Sequence, residues 1–204
     1  MRLIKGLIPD NNTEFGLAFS GGVDSVVFAH YLMSQNKKFK LYFFNHGNDE
    51  DKKALAFARA FSLKYNIELI TNSEVVYIKE AEHKWRSARY TWLESFDIPI
   101  VTGHNLDDVV SGYLLFWIKG QEKFIPVRRN NIIRPFLLVK KKHIYKYAKK
   151  FNLNWNEEEC NSNLDIPRNR VNLNIIPEIL KINPGFNKKI EKLFEEKLKK
   201  DMYL

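Results

Sequence analysis

Phe15-Gly16-Leu17-Ala18-Phe19-Ser20-Gly21-Gly22-Val23-Asp24-Ser25-Val26-Val27-Phe28-Ala29 is the stretch whose reading decides the fold. Phe15–Phe19 is a short apolar run, Ser20–Ser25 a glycine-containing turn, and Val26–Met33 continues with helical character. Strand, tight turn and helix in that order open a parallel α/β unit. The turn also carries chemistry. Gly21 and Gly22 remove side-chain bulk, so backbone N–H groups can approach an anion closely. Ser20 and Ser25 add hydroxyl donors, and the helix that follows aims its partial positive end at the same spot. Ser20, Gly21, Gly22, Val23, Asp24 and Ser25 are therefore a candidate cradle for phosphate or pyrophosphate. A carboxylate among phosphates repels them unless a cation lies between, which makes Asp24 a candidate ligand of a Mg²⁺ ion shared with the phosphates. The loop has no lysine and lacks the spacing of the common P-loop, so it is not a kinase or GTPase signature.

Outward from that loop, Lys40–Phe44 is a second apolar run ending at the turn signal Asn45-His46-Gly47. Leu55, Ala58, Phe61, Ser62 and Tyr65 give Asp51–Tyr65 helical spacing, and Ile67–Ile70 reads as a strand. Glu82–Phe96 reads as a helix and Ile98–Thr102 as a buried strand closed by Gly103. Asp107–Trp117 is apolar nearly all round, which predicts a helix packed inside. Alternating strands and helices predict an α/β fold: a doubly wound, mostly parallel sheet with helices on both faces. After Arg134-Pro135 the texture changes. Lys140–Asn152 carries Ile144, Tyr147, Ala148 and Phe151 on one face, Pro167 and Pro177 punctuate the next stretch, and Phe186, Ile190, Leu193 and Phe194 mark a final amphipathic helix. This divides the chain into an α/β domain over 1–139 and a basic helical extension of the same unit over 140–204.

Composition narrows the function. With 204 residues, 45% hydrophobic and 28% charged, the chain suits one globular domain. The longest apolar run, Tyr113–Ile118, is far short of the roughly 20 residues that span a bilayer. Met1–Gly6 is not followed by a signal-peptide segment, so the sequence reads as cytoplasmic, with no membrane partner. The lone Cys160 excludes an internal disulfide and cannot alone hold zinc or an iron–sulfur cluster. Of the net charge of +9, residues 140–204 contribute +6 and residues 1–139 only +3. A basic C-terminal third suits a polyanion such as RNA, and equally suits solvated lysines on helix surfaces.

Two further groups carry chemistry. Glu82, Arg86 and Arg89 recur at i, i+4 and i+7, on one helix face; a Glu–Arg surface pair is the plain reading, whereas two arginines together suit a phosphate or an RNA backbone. His104, Asp107 and Asp108 follow a parallel strand, at the end where ligands bind in open α/β sheets. The two carboxylates either cap the next helix or act with Mg²⁺ or a cationic substrate.

Ser20–Ser25 resembles the pyrophosphatase loop of the N-type ATP pyrophosphatase (PP-loop) superfamily. Its members adenylate a carbonyl oxygen and then let a nitrogen or sulfur nucleophile displace AMP. Further segments, from Phe15 to about Gly185, are similar to the tRNA(Ile)-lysidine synthetase family: Asn45-His46-Gly47; Glu82, Arg86, Arg89 and Tyr90; Thr102-Gly103-His104 with Asp107-Asp108; Ile133-Arg134-Pro135-Phe136-Leu137; and Trp155, Asn161 and Arg168-Asn169. The resemblance implies ATP and Mg²⁺ as cofactors, with tRNA(Ile) and free lysine as substrates. It implies catalytic roles for Asp24, Arg86, Asp107 and Asp108, and ATP contacts from the loop, Asn45, His46 and His104. Contacts to tRNA would come from Glu82, Arg89, Arg134, Asn161, Arg168, Asn169 and Arg170.

The sequence departs from that family in several places. Ser111-Gly112 stands where the family has Glu-Thr, which leaves the amine donor open. Glu158-Glu159-Cys160-Asn161 replaces Asp-x-Ser-Asn, and Arg168-Asn169-Arg170-Val171-Asn172 lacks the second arginine of Arg-Asn-x-x-Arg. The chain stops about where the family's appended domains begin, so the expectation is a short form that reads tRNA with its catalytic domain and basic tail. An N-type enzyme with another nucleophile and a non-catalytic tRNA-binding protein stay open as alternatives. Oligomeric state stays open too, a homodimer included.

Overall fold

The computed structural model describes residues 1–4, 6–72, 82–156 and 163–202. Strands β1 (Gly16–Ala18), β2 (Lys40–Phe43), β3 (Leu69–Thr71), β4 (Ile100–Val101), β5 (Arg128–Arg129) and β6 (Ile132–Ile133) form one sheet in the order β3-β2-β1-β4-β6-β5. All pairs are parallel except β5 with β6. Helices α1 (Val23–Ser34), α2 (Asp49–Tyr65), α3 (Glu82–Glu94), α4 (Leu106–Ile118) and α5 (Lys141–Lys150) follow β1, β2, β3, β4 and β6. The doubly wound, mostly parallel arrangement is the fold that the sequence predicts.

The chain runs from β1 outward to β2 and β3, then returns to lay β4 on the other side of β1. The strand order therefore reverses between β1 and β4. At such a switch point the loops leaving adjacent strands diverge and open a crevice, here between Ser20–Gly22 and Thr102–Asn105.

Alternation along the strands sorts the core. Leu17, Leu41, Phe43, Val101 and Ile133 share a buried cluster with Val26 and Val27 of α1, Ala58 and Phe61 of α2, and Ile144 and Ala148 of α5. Tyr42, Ile100 and Ile132 face the opposite side and meet Tyr90 and Leu93 of α3. Gly16 lies on that second side, and a Cβ there would sit 2.4 Å from Tyr42 Cδ2. The position accepts only hydrogen because a tyrosine ring crosses it.

Beyond α5 come α6 (Pro167–Arg170), a π-helical turn over Val171–Ile175, α7 (Ile176–Ile182) and α8 (Phe186–Met202). Phe194 and Leu198 of α8 are buried with Ile4, Leu106, Val109, Ile125, Leu137 and Leu138.

Three sequence expectations change. Helix α1 begins at Val23 inside the hexapeptide, because Gly22 supplies the extended N-cap (φ −69°, ψ 163°). Helix α4 is not packed inside along its whole length: Trp117 is 63% and Ile118 57% exposed. The α4 residues clustered with α8 are Leu106 and Val109, so the last turn projects past the layer that covers it. The antiparallel β5–β6 edge hairpin, turned at Asn130-Asn131, was not expected; Asn130 takes the left-handed conformation there (φ 52°).

Candidate functional site

The loop is built to leave amides open. Gly21 adopts φ +82°, a left-handed conformation that suits glycine. Its N–H donates to Ser25 Oγ (3.1 Å) and that hydroxyl donates to the Gly22 carbonyl (3.0 Å), while the Gly22 N–H donates to Ser20 Oγ (3.3 Å). Both serines thus brace the loop. The first intrahelical bond, from Val26 N–H to the Gly22 carbonyl, leaves the amides of Val23, Asp24 and Ser25 at the open first turn of α1. No side chain caps that end. The Val23 side chain is buried in the core, so only its amide faces the crevice. An uncapped helix start at a sheet switch point is a ready anion site.

Asp24 anchors the crevice. Its Oδ1 accepts from Asn105 Nδ2 (3.0 Å) and its Oδ2 pairs with Lys141 Nζ (2.5 Å). Burial lifts the Asp24 carboxyl above its ordinary 3.8 despite the opposing Lys141 charge. Burial also works against the Lys141 ammonium, but the Asp24 charge and hydrogen bond prevail and raise its pKa. Asn105 is the N-cap of α4: its side chain accepts from Asp107 N–H (2.9 Å), and Asp108 Oδ2 accepts in return from Asn105 N–H (2.7 Å). Asp108 Oδ1 holds Arg168 Nη2 at 2.7 Å. Asp107 Oδ2 accepts from the Lys141 N–H (2.9 Å) at the start of α5. One short segment, Asn105–Asp108, therefore ties together the starts of α1, α4 and α5.

Beside it lies a cluster of guanidiniums around one phenol. Tyr90 accepts from Arg134 Nη2 (3.1 Å) and Arg86 Nη2 (3.4 Å), and Arg86, Arg89 and Arg129 lie 4.9, 5.9 and 4.8 Å from its ring centre. Burial pushes the phenol up, yet Arg134 and Arg86 outweigh it and bring Tyr90 below its ordinary 10. Arg134 is 1% exposed and also donates to the Pro126 carbonyl (2.8 Å). It acts on the crevice by its charge and through Tyr90, from beneath the surface. His104, with Nδ1 2.8 Å from Thr102 Oγ1, is kept neutral by burial and then by Arg134 and Arg168, its pKa well below 6.5. Across the crevice His46 packs on Phe44 and Trp85 (centroids 4.7 and 5.7 Å), and burial, then Arg89, lowers its pKa to about 4. The Asn45 turn is held by Asn72: Asn45 N–H donates to Asn72 Oδ1 (2.7 Å) and Asn72 Nδ2 donates to the Asn45 carbonyl (2.9 Å).

Among the described residues no group of three or more His, Cys, Asp or Glu side chains could hold a metal by itself. A single carboxylate beside open amides does fit Mg²⁺, which is commonly held by one or two carboxylates plus substrate phosphates. Asp24 would be its protein ligand.

The remaining sequence candidates lie elsewhere or outside the described residues. Asn169 Nδ2 donates to the Asn163 carbonyl and Arg170 Nε to the Leu164 carbonyl, both as local contacts at the start of α6. Asn161, like Cys160, lies outside the described residues, as does the side chain of Glu82. The sequence reading missed Asn105 and Lys141. Asn105-Leu106-Asp107-Asp108 carries a capping pattern that points to Asn105. Nothing in Lys140-Lys141-Lys142 singles out the middle lysine.

Fold and site together define a doubly wound α/β domain whose switch point is arranged to receive an anion. Residues 1–179 match the PP-loop domain family, and the chain belongs to that family. It is 33% identical over 193 residues to a tRNA(Ile)-lysidine synthase of Persephonella marina, covering 83% of this chain and 42% of that protein. A tRNA(Ile)-lysidine synthase of Haemophilus ducreyi is 31% identical over 188 residues, covering 85% of this chain and 44% of that protein. The chain thus spans less than half the length of these relatives. Among solved structures, an NH3-dependent NAD synthetase from Campylobacter jejuni overlaps with a TM-score of 0.49 at 18% identity, over 90% of this chain and 84% of that one.

Proposed function

We propose that the chain is the catalytic unit of a tRNA-modifying ligase that joins free lysine to the wobble cytidine of tRNA(Ile). The observation that carries this reading is the uncapped start of α1, flanked by Asp24, Lys141 and the arginine cluster at the sheet's switch point. The similarity to tRNA(Ile)-lysidine synthases supports the choice of substrate. In the first step the cytosine carbonyl oxygen attacks the α-phosphate of ATP and pyrophosphate leaves. The amides of Val23, Asp24 and Ser25, with Arg86, hold the charge that develops on it. Mg²⁺, when bound by Asp24 and the phosphates, neutralises part of that charge. In the second step the ε-amine of lysine attacks the adenylated carbon and AMP departs. That amine has an unperturbed pKa of about 10.4, so the site must both attract the cation and take its proton. Asp107 would hold it, being exposed and with only Oδ2 engaged among the described residues; Asp108 pairs with Arg168.

One observation favours a second nucleophile. Ser111, at the position of the family glutamate, is fully buried, with its hydroxyl turned to the Asp108 carbonyl (3.5 Å), and brings no carboxylate to the crevice. The same adenylation with a different amine or thiol is the alternative.

The deciding experiment measures pyrophosphate release from ATP with Mg²⁺ and bulk tRNA, with and without lysine, followed by nucleoside analysis. Lysine-dependent release and a lysine-modified cytidine are expected, and Asp24→Ala should abolish release while tRNA binding persists. Release that ignores lysine would move the assignment to the alternative. Binding of tRNA with no release would overturn the enzymatic reading.

A further inference from the structure

Helix α5 carries five lysines and no carboxylate among its ten residues. Its two faces are sharply divided. Ile144 and Ala148 are buried against α1, while Lys142, Lys146 and Lys149 are exposed. At 100° per residue these three lysines fall within about 60° of arc, along about 10 Å of helix. Among the described residues none of these three side chains makes an ion pair or a hydrogen bond. By contrast, α8 sets six lysines against four carboxylates, and Lys192 and Lys197 pair with Glu196 and Asp201. The positive potential of the basic third therefore concentrates on α5.

The lysine row begins at the candidate site. Lys141, at the first position of α5, is paired to Asp24 and lies 5.5 Å from the Tyr145 ring centre. Tyr145 is 41% exposed and meets Trp155 edge to face (6.1 Å). The next residue, Asn156, donates its N–H to the Gly21 carbonyl of the loop (2.9 Å). From the loop outward the order is Asn156, the half-buried Trp155 that packs against the core, the exposed Tyr145, then Lys142, Lys146 and Lys149. Aromatic faces followed by a row of unpaired lysines are the combination that holds single-stranded nucleic acid, through stacked bases and neutralised phosphates.

We propose that the outward face of α5, continued by Tyr145 and Trp155, is the docking track for a single-stranded segment of RNA next to the base being modified. This rests on the reading of the chain as an enzyme acting on tRNA, and adds where that RNA lies. Helix α5 starts beside α1 and runs alongside it, since Lys141 meets Asp24 while Tyr147 meets His30 (3.0 Å). A strand following α5 is therefore led from the crevice along the flank of the domain.

The test uses the full chain and bulk tRNA. Binding is measured against salt for wild type, for K142Q/K146Q/K149Q, for Tyr145→Ala, and for the α8 control K188Q/K189Q/K192Q. Each single-strand phosphate contact adds about 0.7 to the slope of log affinity against log salt, so the α5 triple variant should lose about 2 from that slope. Its affinity at low salt should fall at least tenfold. Tyr145→Ala should weaken tRNA binding about fivefold or more while leaving heparin binding alone, because heparin has no base to stack. The α8 control should change affinity less than threefold, and the thermal shift caused by ATP should be the same in all four proteins. A wild-type chain that binds tRNA while the α5 triple variant keeps its affinity and slope would overturn the track and leave the proposed chemistry standing. A wild-type chain that binds no tRNA would overturn both. Loss of binding to anionic lipid vesicles without loss of tRNA binding would overturn the track in favour of a membrane surface.

Discussion

Replacing Lys141 by methionine removes the ammonium that faces Asp24 and keeps most of the side-chain volume. The pair is close (2.5 Å), and its side chains are 31% and 29% exposed, so it is neither a surface pair nor a buried one. Exposed pairs contribute about 0–1 kcal/mol, and breaking a buried pair costs about 3–5 kcal/mol. The coupling expected here lies between, at about 1–3 kcal/mol. The double-mutant cycle of Asp24→Asn, Lys141→Met and the combined variant, followed by urea unfolding at neutral pH, isolates it.

The single variants should move in opposite directions. The Asp24 carboxyl is already raised above 3.8, which means that the folded chain binds its proton more tightly than the unfolded chain does. Stability is therefore lost as pH rises through this group's range, and the ionised form is a cost at neutral pH. Asp24→Asn removes that cost and leaves a partly exposed Lys141 free to reach water, so its stability should be equal to or above wild type. Lys141→Met strips the counter-charge and should destabilise. It should also raise the Asp24 carboxyl further, moving the acid limb of pyrophosphate release to higher pH. A coupling below about 0.5 kcal/mol, or an acid limb that stays put, would refute the claim that Lys141 tunes Asp24.

Gly16→Ala should destabilise by about 1–3 kcal/mol in urea with an unchanged m-value, because its Cβ would lie 2.4 Å from the Tyr42 ring and 2.8 Å from Ile100 Cδ1. Wild-type stability here would mean that the ring moves aside freely. Tyr90→Phe takes an acceptor from Arg134, whose Nε already has no partner among the described residues, and should cost about 1–3 kcal/mol in the same assay; no loss would show that the guanidinium finds another acceptor. His46 titrates at about 4 in the fold against 6.5 ordinarily, so between those values the unfolded chain carries the extra proton. The contribution of His46 to stability should fall as pH drops from about 6.5 to about 4, by up to about 3 kcal/mol, and level off below. His46→Gln should flatten part of that slope in thermal melts. His104, shifted the same way, should keep the rest.

What the sequence makes legible follows from how local each determinant is. The phosphate loop is local: two glycines, two serines and a helix start lie within six residues, and their geometry depends on little else. The parallel sheet is nearly as legible, because apolar runs such as Phe15–Phe19 and Lys40–Phe44 alternate with helical spacing. The edge hairpin at Arg128–Ile133 escapes this reading because Arg128 and Arg129 are charged and exposed, so β5 offers no apolar run. Lys141 escapes for a different reason. Lys140, Lys141 and Lys142 are the same residue type, and only the point where α5 starts decides which one turns toward Asp24. Asp107 sets that point by accepting the Lys141 N–H, so the choice is made 34 residues away. Arg134 shows the same limit from the other side. An arginine before Pro135 looks like a surface cation, yet the fold buries it, with Tyr90 and the Pro126 carbonyl accepting its hydrogen bonds. Residues whose roles depend on a partner far along the chain become visible only once β4 has returned beside β1 and brought Asn105–Asp108 against the loop.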